Sequence, residues 1–299
     1  MNFSDMTTKI AAGNGFIAAL DQSGGSTPKA LRGYGVADDE WDGEEEMYAK
    51  IHEMRARIVQ SPAFTGERVV GAILFERTMD GMIGGQTTPQ ALIAKGVVPF
   101  IKIDKGLEDE ADGVQLMKPM PELDELLTRA KALGVYGTKE RSVINTANPV
   151  GITVAVAQQF KVAKQVLAHG MMPILEPEYA ITAADRATGE VILKKEILKE
   201  LNDLPDELRV MLKLSIPVNA GTYQALVDHP KVLKVVALSG GFGRDEACAE
   251  LAKNNGMIAS FSRALLDSLR AGMNDAEFDT ALDEAIAAIH TASTVKVSA

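Results

Sequence analysis

Short apolar runs alternate with amphipathic stretches along the whole chain. The apolar runs are Phe16–Leu20, Val69–Phe75, Val97–Ile103, Val135–Thr138, Met171–Leu175, Val210–Ile216, Leu233–Leu238 and Met257–Phe261. Each is brief and mostly apolar at both odd and even positions, the pattern of a strand covered on both faces in a parallel sheet. Between the runs, apolar residues recur at helical spacing. Met47, Ile51, Met54 and Ile58 form one stripe, and Leu123, Leu126, Leu127 and Ala130 a second. Leu193, Ile197, Leu198 and Leu201 form a third, and Phe278, Leu282, Ile286 and Ile289 another near the end. Such stripes predict helices that pack one face against a sheet.

Strands that alternate with helices build right-handed βαβ units. Eight of them can close into a ring. The predicted fold is therefore α/β, a TIM (β/α)8 barrel with additional terminal helices, with residues 1–299 forming one domain. A doubly wound open sheet is the competitor; the number of runs and the lack of a dinucleotide fingerprint favour the barrel. No Pro/Gly/Ser-rich linker divides the chain. The acidic run Asp38–Glu46 reads as a solvated loop leading into a helix, whose N-terminus favours carboxylates.

Composition narrows the function. The 299 residues are 46% hydrophobic and 24% charged, ordinary for a soluble globular protein, and the net charge is -10. That charge argues against broad nucleic-acid binding and against an anionic membrane surface. A phosphorylated substrate stays compatible, because a few fixed cations can set the field inside a cleft. The single cysteine, Cys248, forms no intrachain disulfide and suits a reducing compartment. The N-terminus lacks a secretory pattern, and no apolar run approaches ~18 residues, so a cytoplasmic location with no membrane span is expected. His52, His169, His229 and His290 form no metal-binding spacing, so no metal is expected. Cys248 lies in a helix-like stretch without an adjacent base and reads as a packing residue.

In a barrel, chemistry lies at the C-terminal ends of the strands. The first run ends in Asp21, followed by Gln22, Ser23, two glycines and Ser26. Glu76 and Arg77 end the second, and Lys102 with Asp104 the third. Lys139 and Arg141 follow the fourth, and Glu176-Pro177-Glu178 the fifth. Lys213 sits inside the sixth; Ser239-Gly240-Gly241 ends the seventh; Ser260, Ser262 and Arg263 follow the eighth. Side chains alternate with period two, so Lys102 and Asp104 share a face, as do Lys139 and Arg141, and Glu176 and Glu178.

Lys213, between Leu212 and Leu214, is the sharpest item. A lysine that snorkels to water at the strand end is the plainer reading. With Glu176, Lys139 and Lys102 at the same mouth, a lysine nucleophile is favoured. Desolvation and neighbouring cations would lower its pKa and free an amine able to attack a ketone. Ser239, Gly240, Gly241 and Arg263 suit a phosphate, since glycines admit backbone N–H groups and Arg presents paired donors; a plain loop turn is the alternative. Glu176 and Glu178 can split their pKa values and leave one as a proton donor, or form an ion pair with Lys139 or Arg141. Asp21 is either a helix cap or a base over the substrate.

The motifs Ala19-Leu20-Asp21-Gln22-Ser23-Gly24-Gly25-Ser26, Ile101-Lys102-Ile103-Asp104-Lys105-Gly106 and Gly137-Thr138-Lys139-Glu140-Arg141 are joined in order by Pro173-Ile174-Leu175-Glu176-Pro177-Glu178 and Met211-Leu212-Lys213. Leu238-Ser239-Gly240-Gly241 and Ser260-Phe261-Ser262-Arg263-Ala264-Leu265 complete the set. This succession resembles the class I fructose-bisphosphate aldolases, in their shorter microbial branch, across nearly the whole chain. The resemblance implies Lys213 as the Schiff-base lysine, Glu176 as the proton shuttle of imine formation and Glu178 as its companion close to the lysine. It implies Asp21 at the substrate C4 hydroxyl, and Lys102 and Lys139 as cations shaping the field. Ser239, Gly240, Gly241 and Arg263 would grip the C1 phosphate, joined by Ser260, with Ser23, Ser26 and Arg141 toward the other phosphate. The substrate would be fructose 1,6-bisphosphate and the products dihydroxyacetone phosphate and glyceraldehyde 3-phosphate. No cofactor is implied, and a homo-oligomer is compatible. Gln22 and Gly24 depart from the Glu and Thr usual in animal enzymes, and the C-terminus lacks their terminal tyrosine. The group that protonates the enamine is thus unassigned. Competing readings are another Schiff-base barrel aldolase, such as a transaldolase or deoxyribose-phosphate aldolase, a non-catalytic sugar-phosphate sensor, and a purely structural role.

Overall fold

The structure, a computed structural model, describes residues 1–297; Ser298 and Ala299 lie outside the described residues. Eight parallel strands form the barrel: β1 (Phe16–Leu20), β2 (Val69–Leu74), β3 (Val98–Lys102), β4 (Gly137–Ile144), β5 (Met172–Tyr179), β6 (Val210–Ser215), β7 (Val232–Leu238) and β8 (Ile258–Ala259). They pair in chain order. The first and last are joined by a hydrogen bond from Ala19 N to Phe261 O of 3.1 Å, which nearly closes the ring.

The helices cover the outside of the barrel, apart from the first, which closes its lower end. They are α1 (Phe3–Ala12), α2 (Ser26–Tyr34), α3 (Gly43–Gln60), α4 (Glu76–Met79), α5 (Thr88–Ala94) and α6 (Leu123–Ala132), then α7 (Pro149–Ala168), α8 (Arg186–Asp203), α9 (Gln224–Val227), α10 (Arg244–Ala252), α11 (Arg263–Leu266) and α12 (Asp275–Thr294). The expected stripes are their buried faces: Met47, Ile51, Met54 and Ile58 on α3, Leu123 to Ala130 on α6, and Phe278 to Ile289 on α12 are buried. Burying one such side chain contributes ~1.5–3 kcal/mol before entropy is counted.

Two cores result. The larger lies between strands and helices. The smaller fills the lower barrel with Ile17, Val98, Phe100, Ile174, Met211 and Val236, and is closed by Met6 and Ile10 of α1. This additional N-terminal helix is capped by Asn2, whose Oδ1 accepts from Asp5 N at 2.9 Å while Asp5 Oδ2 accepts from Asn2 N at 3.1 Å. It is seated by Phe3, which packs on Tyr136 with ring centroids 4.7 Å apart.

Three local expectations need correction. The fourth run, read as Val135–Thr138, is a strand that continues to Ile144, and the fifth continues to Tyr179. Their apolar pattern stops at Lys139 and Glu176, yet the backbone goes on, because those charges are paired inside the barrel. The eighth is the short Ile258–Ala259. The hairpin Met82–Ile83/Gln86–Thr87 was not foreseen; its Gly84-Gly85 turn, with φ of 59° and 81°, needs the left-handed region that glycine supplies.

Candidate active site

The inner faces of the strands change character toward their C-terminal ends. With period two, β1 presents Ile17, Ala19 and then Asp21; β3 presents Phe100, Lys102 and then Asp104; β5 presents Ile174, Glu176 and then Glu178. On β6 Met211 is followed by Lys213. Ile17, Phe100, Ile174 and Met211 belong to the lower core, and Ala19 and the charged residues line a cavity of about 630 Å³ above it. All fourteen candidate residues from the sequence line that cavity: Asp21, Ser23, Ser26, Lys102, Lys139, Arg141, Glu176, Glu178, Lys213, Ser239, Gly240, Gly241, Ser260 and Arg263.

Its centre is a chain of buried charges. Lys213 Nζ lies 2.9 Å from Glu176 Oε1. Lys139 Nζ lies 2.8 Å from Glu176 Oε2, 2.8 Å from Asp21 Oδ2 and 3.8 Å from Asp104 Oδ2. Register explains the grouping: Lys139 is opposite Lys102 on one side and Ile174 on the other, and Ile174 is opposite Met211. Burial alone would raise the carboxyl of Glu176, but Lys139 and then Lys213 outweigh it and hold that carboxyl below its usual range. Asp21 is held well below the carboxylate range in the same way, by Lys139 first and Lys213 second. Burial opposes the charge on Lys139, and Asp21, Glu176 and Asp104 overcome that and push its pKa up. Lys139 is therefore a fixed cation between carboxylates. The contact between Lys139 and Glu176 Oε2 lacks hydrogen-bond alignment, which leaves that oxygen able to accept from another donor.

Glu178 adopts the ion-pair alternative, with Arg141. Its Oε2 accepts from Arg141 Nε at 2.5 Å, and it makes no ion pair with Lys213 among the described residues. Arg141 is committed to that pair, and Lys102 to Asp104 at 2.7 Å. Arg263, by contrast, is exposed at the start of α11 and has no carboxylate partner among the described residues. Gly240 and Gly241 have φ of 62° and 131°, and a Cβ on Gly240 would lie 2.4 Å from Ile181 Cγ2. The turn after β7 therefore requires glycine there. Ser260 Oγ is buried and has no hydrogen-bond partner. Ser26 Oγ donates to Ser23 O at 2.8 Å and accepts from Ser23 N at 2.9 Å, so Ser26 stabilises the turn into α2.

Six Lys or Arg and five Asp or Glu side chains line the cavity, a cationic balance in a chain of net charge -10. Lys29, one of the six, was missed from sequence; it lies on α2 one helical turn after Ser26 and has no carboxylate partner among the described residues. No group of three or more His, Cys, Asp or Glu side chains suited to a metal ion occurs among the described residues. No helix among them is long and apolar enough to cross a membrane.

The family model described as "Fructose-bisphosphate aldolase class-I" matches residues 3–216, a span that includes Lys213. The structure is similar to that of fructose-bisphosphate aldolase from Plasmodium falciparum in complex with TRAP and a small-molecule inhibitor, with a TM-score of 0.75 and 20% identity over 99% of this chain and 96% of that one. That likeness shows the fold. A substituted flavocytochrome b2 with sulfite bound aligns at a TM-score of 0.45 and 8% identity over 92% of this chain and 62% of that one.

Proposed function

The chain belongs to the class I fructose-bisphosphate aldolase family, and on that premise we propose that it reversibly cleaves fructose 1,6-bisphosphate to dihydroxyacetone phosphate and glyceraldehyde 3-phosphate through an imine at Lys213. The observation that carries this reading is the buried run Lys213–Glu176–Lys139–Asp21, with successive contacts of 2.9, 2.8 and 2.8 Å in one cavity. A lysine against a carboxylate that can take its proton is the arrangement needed to attack a ketone.

In cleavage, Lys213 Nζ adds to the C2 carbonyl and a proton passes to the new hydroxyl. Glu176 relays protons as water leaves, giving a protonated imine. Asp21, kept ionised by Lys139, takes the proton of the C4 hydroxyl. The C3–C4 bond breaks, its electron pair enters the iminium as an enamine, and glyceraldehyde 3-phosphate is released. Protonation of the enamine at C3 and hydrolysis return Lys213 and dihydroxyacetone phosphate. Arg263, Ser239, Ser260 and the Gly240–Gly241 turn serve one phosphate. Lys29 and the Ser23–Ser26 turn serve the other, with Lys102 and the paired Arg141 contributing field. Glu178 acts through Arg141 rather than on Lys213. The whole chain serves as one catalytic domain, in the cytoplasm, with a glycolytic role.

The test is to add dihydroxyacetone phosphate, reduce with borohydride and map the adduct by mass spectrometry. A modified Lys213 is expected. No adduct on a folded chain would favour a sugar-phosphate sensor, and an adduct on another lysine would refute the assignment.

A further inference from the structure

Arg55 is the charged member of the buried face of α3, among Ile51, Met54, Ile58 and Val59. Its side chain is fully enclosed and does not line the cavity. Nη1 donates to Thr78 Oγ1 at 2.6 Å, and Nη2 donates to Gln22 O at 2.6 Å and to Gln22 Oε1 at 3.0 Å. No carboxylate lies within 4.0 Å of it among the described residues. Gln22 in turn donates from Nε2 to Ala19 O at 3.2 Å and to Ser262 Oγ at 2.5 Å. One guanidinium thus ties together the end of β1, the helix that follows β2 and, through Gln22, the residue before Arg263.

Stability alone gives no account of this arrangement. A buried charge without a direct counter-ion is unfavourable, and apolar side chains of similar volume usually serve a core as well or better. Burial pulls the Arg55 pKa down to about 10, and Asp21 is the first charge that resists it. The counter-charge of Arg55 is therefore the carboxylate next to the residue it grips.

We infer that Arg55 is a positioning residue for carbon–carbon bond cleavage, holding the Asp21–Gln22 segment so that Asp21 faces the substrate in register with Ser262 and Arg263. The inference rests on the aldolase reading. It predicts a division of labour, because imine formation uses Lys213 and Glu176, whereas Asp21 is needed only when the C3–C4 bond breaks.

The experiment compares the unsubstituted chain, Arg55→Met and Arg55→Lys in two assays: cleavage of fructose 1,6-bisphosphate, and borohydride trapping of dihydroxyacetone phosphate at Lys213. Arg55→Met is expected to lower kcat for cleavage by roughly 10²-fold, as for a displaced catalytic group, while trapping proceeds to the wild-type extent. Arg55→Lys keeps the charge but loses the fork, and decides the matter if Arg55→Met does not fold; the same split is expected with a smaller loss. Cleavage at the wild-type rate in Arg55→Lys and Arg55→Met would overturn the inference, and so would a parallel loss of cleavage and trapping. Absence of an adduct in the unsubstituted chain would overturn the aldolase reading, and this inference with it.

Discussion

Lys213 and Glu176 meet at 2.9 Å across adjacent strands, and backbone register sets the pair. Ile174 is opposite Met211, so two residues further along each strand the same inner face carries Glu176 and Lys213. A one-residue slip of either strand would turn its member of the pair out of the barrel. Register brings the two side chains within reach, and their burial confines the rotamers that complete the contact.

Replacing Glu176 by Gln keeps the shape of the site and removes its proton acceptor. Imine formation should slow by roughly 10²–10⁴, the usual effect of losing a general acid–base group. Single-turnover trapping with borohydride measures this step, and an unchanged rate would exclude Glu176 from it.

Lys139→Met removes the cation shared by Asp21 and Glu176. Glu176 then keeps only Lys213 within ion-pair distance and Asp21 keeps no cation among the described residues, and stability should fall by ~3–5 kcal/mol. Denaturant unfolding gives the value. A loss near zero would mean that water or a rearranged Lys102 takes over the charge.

The same cluster sets a pH window. Asp21 and Glu176 are depressed in the folded state, so their contribution is present above the unfolded carboxylate range and is lost only as pH falls through the lower folded values. Lys139 is raised, so its contribution holds below about 10.4 and disappears as pH climbs through the higher folded value. Glu140, on the outer face of β4, behaves oppositely. Burial pushes its carboxyl well above the usual range, against a Thr138 hydrogen bond of 3.2 Å that favours ionisation. The folded state then binds the extra proton, and Glu140 costs stability increasingly as pH rises above about 4.3. Glu140→Gln should therefore gain stability over the unsubstituted chain from pH 5 toward pH 8. Paired unfolding curves across pH check the sign; a gap that narrows with rising pH would contradict it.

Arg263→Ala should raise KM for fructose 1,6-bisphosphate more than for an unphosphorylated ketose, because Arg263 has no carboxylate to satisfy and is available to an anion. Steady-state kinetics with both substrates decide it. Equal effects would place the phosphate elsewhere.

The barrel was legible in the sequence because its strands are apolar on both faces, and the site because charge on such strands is rare. The extent of β4 was not legible. Lys139, Glu140 and Arg141 break the apolar run, and the partners of Lys139 and Arg141 on β5 favour an extended backbone there. For Glu178 two readings stayed open, a companion of the lysine or a pair with Arg141, because a shared face does not say which cation is within reach; the Arg141 pair is the one formed. Arg55 was overlooked although the signal was present, since it occupies the position after Met54 on a stripe otherwise filled by apolar residues. Arg186 and Glu190, buried together on α8 at 2.7 Å, show the same pattern. A charge inside a helical stripe marks a partner that periodicity alone does not reveal.

Helix α1 presses Met6 and Ile10 into the lower core, and that end of the barrel is stoppered. Substrate and product must then use the upper opening in both directions. On the aldolase reading, the covalent bond to Lys213 keeps one fragment at the bottom while the other goes out by the way it came. The order of release becomes a matter of plumbing: the untethered aldehyde departs first, and the ketone follows only after hydrolysis has freed it.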